Sequence, residues 1–295
     1  GSDRKSMKCA AEIIGAGDYP LVIFPEGNVY FCNDKVTPFN EGAAYIALRA
    51  QQKLRDEAPV FPVPVSLKYT FVEDVRERVR GDLDQIAREF GTSLQRDRPI
   101  IDELRRISLI ALGSHLQKHG HMPADGSAEI DEQIQVAVEQ IIVALEEKIS
   151  LQARAGDDLT ARVRTIRTAI HRVRTDPEAG VDQQTATRWA DEAMLALRIL
   201  GYAGAYAASN PTLDRVAETV ARLREDVASR HFEPVGRRLA LVHIGEPIDL
   251  RSRLEAFAAK ARNAVGDLTR DFEKIVQVGL DRLNEGNTAP GSEPF

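Results

Sequence analysis

The stretch that decides the fold is Leu21-Val22-Ile23-Phe24-Pro25-Glu26-Gly27-Asn28. Its first four residues form a continuous apolar run, which is typical of a short strand buried in a parallel sheet. Pro25 has no N–H to donate to a sheet, so the strand is expected to end there. Glu26 then stands at the carboxyl end of the strand, where open α/β sheets bind their ligands. Gly27 lets the backbone turn tightly beside such a ligand.

A strand–helix–strand unit extends outward from this stretch. Residues 41–54 carry small apolar side chains at helical spacing, and residues 60–67 are predicted to form the next strand. The segment 21–67 therefore predicts a right-handed crossover between parallel strands. Pro62 and Pro64 do not suit a central strand, so we expect an edge position or a bend there.

The composition changes near residue 72, where helical periodicity replaces strand character. Six helices are predicted, at roughly 73–90, 99–119, 128–155, 158–175, 183–200 and 211–230. We interpret this run as a helical domain inserted into an α/β core. The predicted boundaries are 1–72 for the first part of the core, 73–235 for the insertion, 236–256 for a returning strand and turn, 257–287 for a carboxyl-terminal helix and 288–295 for a disordered tail.

Length and composition limit the class of protein. The chain has 295 residues, of which 43% are hydrophobic and 28% charged, and a formal net charge of −6. These values describe a soluble globular chain and argue against nucleic-acid binding. Cys9 and Cys32 are too few for a disulfide framework. No apolar run is long enough to span a membrane, and no signal peptide is recognisable, so we expect a cytoplasmic protein with at most peripheral contact at the inner face of the membrane.

Four short motifs follow one another along the chain, at 24–27, 37–44, 59–65 and 242–250. They resemble, in order, the Phe-Pro-Glu-Gly-Thr-Arg-Ser block, a Pro-Phe-Lys-x-Gly-like helix start, a block rich in Val, Ile and Pro, and a late Gly-Glu-Pro-Ile turn. These are motifs of the glycerolipid (lysophospholipid) acyltransferase superfamily, which includes the 1-acylglycerol-3-phosphate acyltransferases. The resemblance covers residues 1–72 and 236–256. It implies a partial acyltransferase α/β core with a large all-helical insertion.

The resemblance also implies a reaction and a set of site residues. Family members move an acyl group from the thioester of acyl-CoA or acyl carrier protein to a hydroxyl of a glycerol phosphate or lysophospholipid. The glutamate of the third block helps to bind the acceptor, which assigns that role to Glu26. The implied substrate-binding residues are Glu26, Gly27, Asn28, Phe39, Gly42 and Pro62. The thioester is a co-substrate, and neither a cofactor nor a metal is implied.

Two departures from the family pattern change this expectation. The His-x4-Asp block, which supplies the general base, precedes Phe-Pro-Glu-Gly in the family, whereas the 23 residues before Phe24 contain no histidine. We therefore expect an amino-terminally truncated chain that is inactive alone, and we assign no catalytic residue. The family's Thr-Arg-Ser is Asn28-Val29-Tyr30 here, which removes a natural phosphate ligand and disfavours glycerol 3-phosphate as the acceptor.

Three other histidine or cysteine patterns are interpreted as structural. His171 and Asp176 have the His-x4-Asp spacing, but such a coincidence is expected among six histidines and many aspartates. His119 and His121 have no neighbouring cysteine or carboxylate cluster, so no metal site is predicted. Cys32 is interpreted as an ordinary loop thiol.

A basic helix leaves two function classes open. Five arginines without an intervening acidic residue occur together: Arg162, Arg164, Arg167, Arg172 and Arg174. They suit either an anionic membrane surface or a solvated helix face balanced by nearby acids. The chain is accordingly an O-acyltransferase or a non-enzymatic helical interaction or membrane-peripheral scaffold protein on a degenerate acyltransferase core. Saturable binding of an acyl-CoA discriminates between the two.

Overall fold

The computed structural model describes residues 4–27, 32–55, 57–121, 130–152, 157, 159–175, 180–199 and 205–295. The chain forms two compact units. The first unit contains residues 1–72 and 238–292, and the second contains residues 73–237 and 293–295. The inserted character of 73–235 and the α/β class of the core stay predictions.

In chain order the secondary structure consists of α1 (Arg4–Ala16), α2 (Gly42–Leu54), β1 (Val65–Phe71), α3 (Arg76–Glu89), α4 (Ile100–Lys118), α5 (Ile130–Lys148), α6 (Leu159–Thr175), α7 (Gln183–Ile199), α8 (Ala205–Ser209), α9 (Leu213–Ala228), β2 (Arg238–Ile244), α10 (Leu254–Ala259) and α11 (Ala261–Glu285). Short 3-10 turns occur at Leu250–Arg253 and Pro290–Ser292.

The sheet of the first unit is antiparallel. Val65 of β1 lies opposite Ile244 of β2, and Phe71 lies opposite Arg238. Within the described ranges, the sheet consists of these two strands. The observed topology therefore differs from the predicted crossover between parallel strands, because β1 takes its partner from far along the chain.

The apolar run at the start of the opening motif is not a strand. Residues 21–24 have no assigned secondary structure, and the side chains of Val22 and Phe24 are 75% and 76% exposed. The prediction of a buried strand there was wrong for a physical reason. A continuous apolar run indicates burial only where other elements cover both of its faces, and no described strand pairs with this segment.

The segment that contains the prolines before β1 has no assigned strand structure. The predicted strand at 60–67 begins at Val65 instead. The carbonyls of Pro62 and Pro64 nevertheless accept hydrogen bonds from the N–H groups of Ile248, at 3.0 Å, and Gly245, at 2.9 Å. The chain thus continues the pairing through carbonyl oxygens alone, since proline has no N–H.

The two faces of the sheet have an unusual polarity. Ser66, Lys68 and Thr70 are buried, and the Ser66 hydroxyl donates to the carbonyl of Val276 in α11 at 2.8 Å. The opposite face, here called the exposed sheet face, carries large apolar side chains that are 38–70% exposed: Val65, Leu67, Tyr69, Val242 and Ile244. The polar side chains of β1 are therefore buried, while its apolar residues Val65, Leu67 and Tyr69 are exposed and Phe71, its last residue, is buried.

The core of the first unit lies between α2, α10 and α11. The predicted helix at 41–54 is confirmed as α2, and its small residues Ala44, Ala47 and Ala50 are buried in this core. The buried cluster contains Phe39, Ala44, Ala47, Leu48, Ala50, Val60, Leu250, Phe257, Ala264, Val265, Leu268 and Phe272.

The predicted carboxyl-terminal helix at 257–287 is broken. Lys260 has a φ of −146°, which is extended rather than helical. Its carbonyl then accepts from the N–H of Ala264 at 3.1 Å, which starts α11. The break allows α10 and α11 to pack on each other.

The second unit, here called the helical unit, contains the helices that the sequence predicts. All six predicted helices are confirmed as α3, α4, α5, α6, α7 and α9, although α5 ends at Lys148 rather than at 155. The amphipathic stripe of α5 is buried, as expected from its spacing. Its members are Ile134, Val138, Ile141, Ile142 and Leu145. In this unit α5, α6 and α7 pack together, and α3 packs on α9 and α4.

Arg162 of α6 belongs to this packing. Its guanidinium donates two hydrogen bonds to the carboxylate of Glu146, at 2.9 and 2.7 Å, and two to that of Glu139, at 2.7 and 2.9 Å. Its side chain is only 14% exposed. Arg162 therefore stabilises the helical unit and does not present its charge to a membrane.

Residues near the carboxyl terminus form specific contacts. The prediction of a disordered tail at 288–295 does not agree with these contacts. The N–H of Phe295 donates to the carbonyl of Pro211 at 2.9 Å, and the carbonyl of Glu293 accepts from the N–H of Leu213 at 2.9 Å. The guanidinium of Arg80 also lies 5.1 Å from the centre of the Phe295 ring. Polar composition predicted disorder, but these backbone bonds hold the segment in place.

Among the described helices, none combines the length and the apolar composition that crossing a membrane would require.

Candidate functional site around Glu26

The Pro-Glu-Gly turn is confirmed. The N–H of Gly27 donates to the carbonyl of Phe24 at 3.3 Å, and Gly27 has a φ of 70°, which L side chains rarely adopt. A Cβ on Gly27 would collide with Nδ2 of Asn40. The positive φ therefore favours glycine at this position, and a larger residue would also require the Asn40 side chain to move.

Neighbouring side chains hold Glu26 in place. The hydroxyl of Thr37 donates to Oε2 of Glu26 at 2.6 Å. Asn40 donates from Nδ2 to the carbonyl of Glu26 at 3.2 Å and from its backbone N–H to the carbonyl of Pro25 at 2.8 Å. The carboxylate is thus oriented by Thr37, and its backbone is fixed by Asn40.

The environment makes Glu26 a weaker acid. Partial burial raises the pKa of its carboxyl above the ordinary value of 4.5, and the hydrogen bond from Thr37 opposes this rise without cancelling it. Burial has this effect because a low-dielectric environment disfavours the charged form. A raised carboxyl pKa beside an exposed turn is common at sites that bind or transfer protons.

Helix α11 supports the loop that carries Thr37. The carboxylate of Glu273 accepts from the N–H of Phe39 at 2.7 Å. Gln277, one turn later, accepts from the N–H of Val36 at 2.9 Å and donates to the carbonyl of Asp34 at 3.2 Å. Three backbone groups of this loop are therefore fixed by two side chains of one helix.

The other residues implied by the resemblance lie in different settings. Phe39 is 8% exposed and belongs to the core. Gly42 is the first residue of α2, and the space beside its Cα is open. Pro62 is half-buried and contacts Ile248 through its carbonyl. Asn28 lies outside the described residues. The structure therefore joins Glu26 and Gly27 in one cluster with Thr37 and Asn40.

The sequence did not indicate four residues of this site. Thr37 and Asn40 contact Glu26, and Glu273 and Gln277 of α11 hold the loop that carries Thr37. Thr37 and Asn40 flank the Pro-Phe pair of the second motif, so their proximity to that motif was an available signal. Glu273 and Gln277 gave no signal, because a glutamate and a glutamine one turn apart are ordinary on a helix surface.

The histidine and cysteine patterns do not enter this cluster. His171 is exposed on α6 of the second unit, and Asp176 lies outside the described residues. Over the described ranges, no group of three histidine, cysteine or acidic side chains is arranged to hold a metal ion. Cys9 and Cys32 form no disulfide.

A separate open cavity of about 550 Å³ occurs in the first unit. Residues 243–248 form one wall, and one face of α11 together with Arg253 forms the other. We call it the α11 groove. None of the substrate-binding residues implied by the resemblance lines it, so the cavity and the Glu26 cluster are different places. Residues 243–248 of its wall do belong to the motif at 242–250.

Comparison with protein families gives one match. Residues 1–66 match the family model described as Acyltransferase. Comparison with curated proteins gave no match, and neither did comparison with solved structures. The matched segment contains Glu26, Gly27, Thr37 and Asn40. It supports a relationship to the acyltransferase superfamily and, with it, acyl transfer as the general class of activity.

Proposed function

We propose that this chain is an O-acyltransferase that acts on lipid-type acceptors. It moves an acyl chain from the thioester of acyl-CoA or acyl carrier protein to a hydroxyl of a glycerol-phosphate or lysophospholipid-type acceptor, at the cytoplasmic face of a membrane. The thioester C–S bond breaks, an ester C–O bond forms, and the hydroxyl proton passes through a base to the departing thiolate.

One observation carries this proposal. Glu26 stands at a fixed turn inside the segment that matches the acyltransferase model, with its Oε2 bound by Thr37 and its pKa raised by burial. A carboxylate held in this way can accept a hydrogen bond from an acceptor hydroxyl through its second oxygen. In this proposal Glu26 binds and orients the acceptor.

The membrane side of the proposal concerns α6. Arg167, Arg172 and Arg174 are exposed, which suits an anionic surface. The side chain of Arg164 lies outside the described residues. Arg162 is excluded from this role by its bonds to Glu139 and Glu146.

Calorimetric titration tests the proposal on the chain as it stands. Palmitoyl-CoA should bind saturably to the wild-type protein, and a monoacylglycerol phosphate should bind in a second titration. Glu26→Gln keeps the size of the side chain but removes its charge, so it should weaken acceptor binding by about tenfold and leave palmitoyl-CoA binding unchanged.

The matched control is Glu255→Gln, which removes an exposed carboxylate on α10 and should change neither titration. Absence of saturable palmitoyl-CoA binding would overturn the acyltransferase proposal. Equal acceptor affinity in Glu26→Gln and wild type would remove Glu26 from the site. Binding to phosphatidylglycerol vesicles without palmitoyl-CoA binding would favour the scaffold alternative instead.

A further inference from the structure

The α11 groove places charged and apolar side chains on one face of a helix. Asp271, Lys274, Ile275, Val278 and Arg282 all line it, and their spacing of three or four residues puts them on the same side of α11. The volume of about 550 Å³ lies within the range of small-ligand sites, roughly 300–1,000 Å³.

The floor of the groove is apolar and accessible to solvent. Val278 is 42% exposed, and Ile275, which also lines the groove, is half-buried. The other large apolar side chains of α11 are buried or half-buried. An apolar ligand group that covers Val278 and Ile275 would remove their exposed surface from water.

Two cations flank this floor. Lys274 and Arg282 lie one turn before and one turn after Val278, about 6 Å away along the helix axis on each side. Both side chains are long enough to reach a group lying above Val278. Lys274 forms no ion pair with any residue that the structure describes, and Arg282 donates to Nε2 of His243 at 3.3 Å.

The remaining charges of the groove set the charge of its ligand. Arg253 and Asp271 neutralise each other in an ion pair of 2.8 Å. Glu246 is the other acidic residue of the lining. With Lys274 and Arg282, the lining carries one net positive charge, whereas the whole chain carries −6. A single negative charge matches this balance better than a dianion does.

We infer that the α11 groove binds an amphiphile with an alkyl chain and a monoanionic carboxylate head. The carboxylate is bound by the side chains of Lys274 and Arg282, and a guanidinium can bind it with two parallel hydrogen bonds. The alkyl chain covers Val278 and Ile275. This inference goes beyond acyl transfer at Glu26, because no contact of Glu26 involves the groove.

Titration of the full chain with four probes tests the inference. Dodecanoate, below its micelle concentration, should bind saturably with one site. Acetate lacks the chain and dodecyl maltoside lacks the charge, so both should bind at least about tenfold more weakly. Dodecyl phosphate carries a second charge and should also bind more weakly. The backbone amide resonances of Gly245 and Val278 should shift during the dodecanoate titration.

Variants locate the site. Lys274→Gln combined with Arg282→Gln should weaken dodecanoate binding about tenfold or more, and Arg262→Gln, an exposed arginine of α11 outside the groove, should leave it unchanged. Glu26→Gln should also leave it unchanged, which separates this test from the test of acyl transfer.

Four results would overturn the inference. They are an unchanged dodecanoate affinity in the double variant, equal binding of dodecyl maltoside, equal binding of acetate, and tighter binding of dodecyl phosphate. Amide shifts confined to residues outside the groove would overturn it independently of the variants.

Discussion

Gly27 shows how a single backbone position fixes the candidate site. Its positive φ and its contact with Asn40 act together, and Asn40 in turn holds the backbone of Glu26. A substitution at Gly27 is therefore expected to displace Asn40 and Glu26 in addition to straining its own backbone.

Replacing Gly27 by alanine should destabilise the protein more than the same change at Gly17. Both glycines have positive φ, 70° and 73°, but only the Cβ at position 27 meets another side chain. We expect Gly17→Ala to cost about 1 kcal/mol from backbone strain and Gly27→Ala about 2–3 kcal/mol, because the latter also displaces Asn40. Urea unfolding measures both, and equal losses would contradict a specific role for Asn40.

The raised pKa of Glu26 predicts a pH-dependent stability. The folded protein binds the Glu26 proton more tightly than the unfolded chain does, so this contribution is fully present below pH 4.5 and is lost as pH rises through the raised pKa. The Glu26→Gln variant has no carboxyl group at this position, so it does not lose this contribution to stability as the pH rises. The stability of Glu26→Gln relative to wild type should therefore increase between about pH 4 and pH 7.

Urea midpoints at the two ends of this range test the prediction. Thr37→Val provides a matched comparison, since it removes the hydrogen bond that opposes the rise in the pKa of Glu26 and should enlarge the pH dependence. A midpoint difference between Glu26→Gln and wild type that stays constant with pH would show that burial does not disfavour the Glu26 carboxylate.

At the scale of elements, α11 holds the loop at 34–39 through the side chains of Glu273 and Gln277. Glu273→Ala and Gln277→Ala should each cost about 1 kcal/mol and should speed hydrogen exchange at the amides of Phe39 and Val36, respectively. Glu273→Gln keeps an acceptor oxygen and should restore most of the protection.

The control for α11 is Glu285→Ala, at its exposed end, which should leave both amides unaffected. If protection at Val36 and Phe39 survives the two alanine variants, the loop does not depend on α11.

In the second unit, Arg162 connects α6 to α5 through its hydrogen bonds to Glu139 and Glu146. Arg162→Ala leaves the carboxylate of Glu146 buried without its partner, so we expect a loss of about 3–5 kcal/mol in the free energy of unfolding. Arg167→Ala, one turn further along α6 and exposed, should change it by less than about 0.5 kcal/mol. Combining Arg162→Met with Glu146→Leu should recover much of the loss, and failure to do so would mean that the helices need the charges themselves.

The elements also show what the sequence could and could not predict. Helices α3 to α7 and α9 were predictable because each must bury one apolar stripe, and stripe spacing is a local property. The pairing of β1 with β2 joins residues more than 160 positions apart, and no local pattern specifies such a contact. The turn at Glu26 was predictable from proline and glycine, whereas its support by Glu273 and Gln277 depends on how α11 packs.

At the scale of the whole molecule, the exposed sheet face is the largest departure from expectation. An alternating strand normally turns its apolar side chains toward the core. Here Ser66, Lys68 and Thr70 occupy the inner side, and Leu67 and Val242 are outside. Apolar patches of this kind on a sheet favour association between molecules.

Self-association should therefore depend on this face. Leu67→Thr together with Val242→Thr keeps residues that favour strands and should reduce concentration-dependent light scattering of the chain. Val136→Thr with Val143→Thr replaces two exposed valines of α5 and serves as the control. Equal scattering in both double variants would assign the association to another surface.

The same face has a consequence at boundaries between phases. A sheet with large exposed apolar side chains on its outer face can lower the free energy of an air–water or oil–water boundary by lying flat against it. The chain should then adsorb in a preferred orientation, with the exposed sheet face toward the air or the oil. On a thin aqueous film, such as those used for electron microscopy, this would appear as a strong bias in the views recorded.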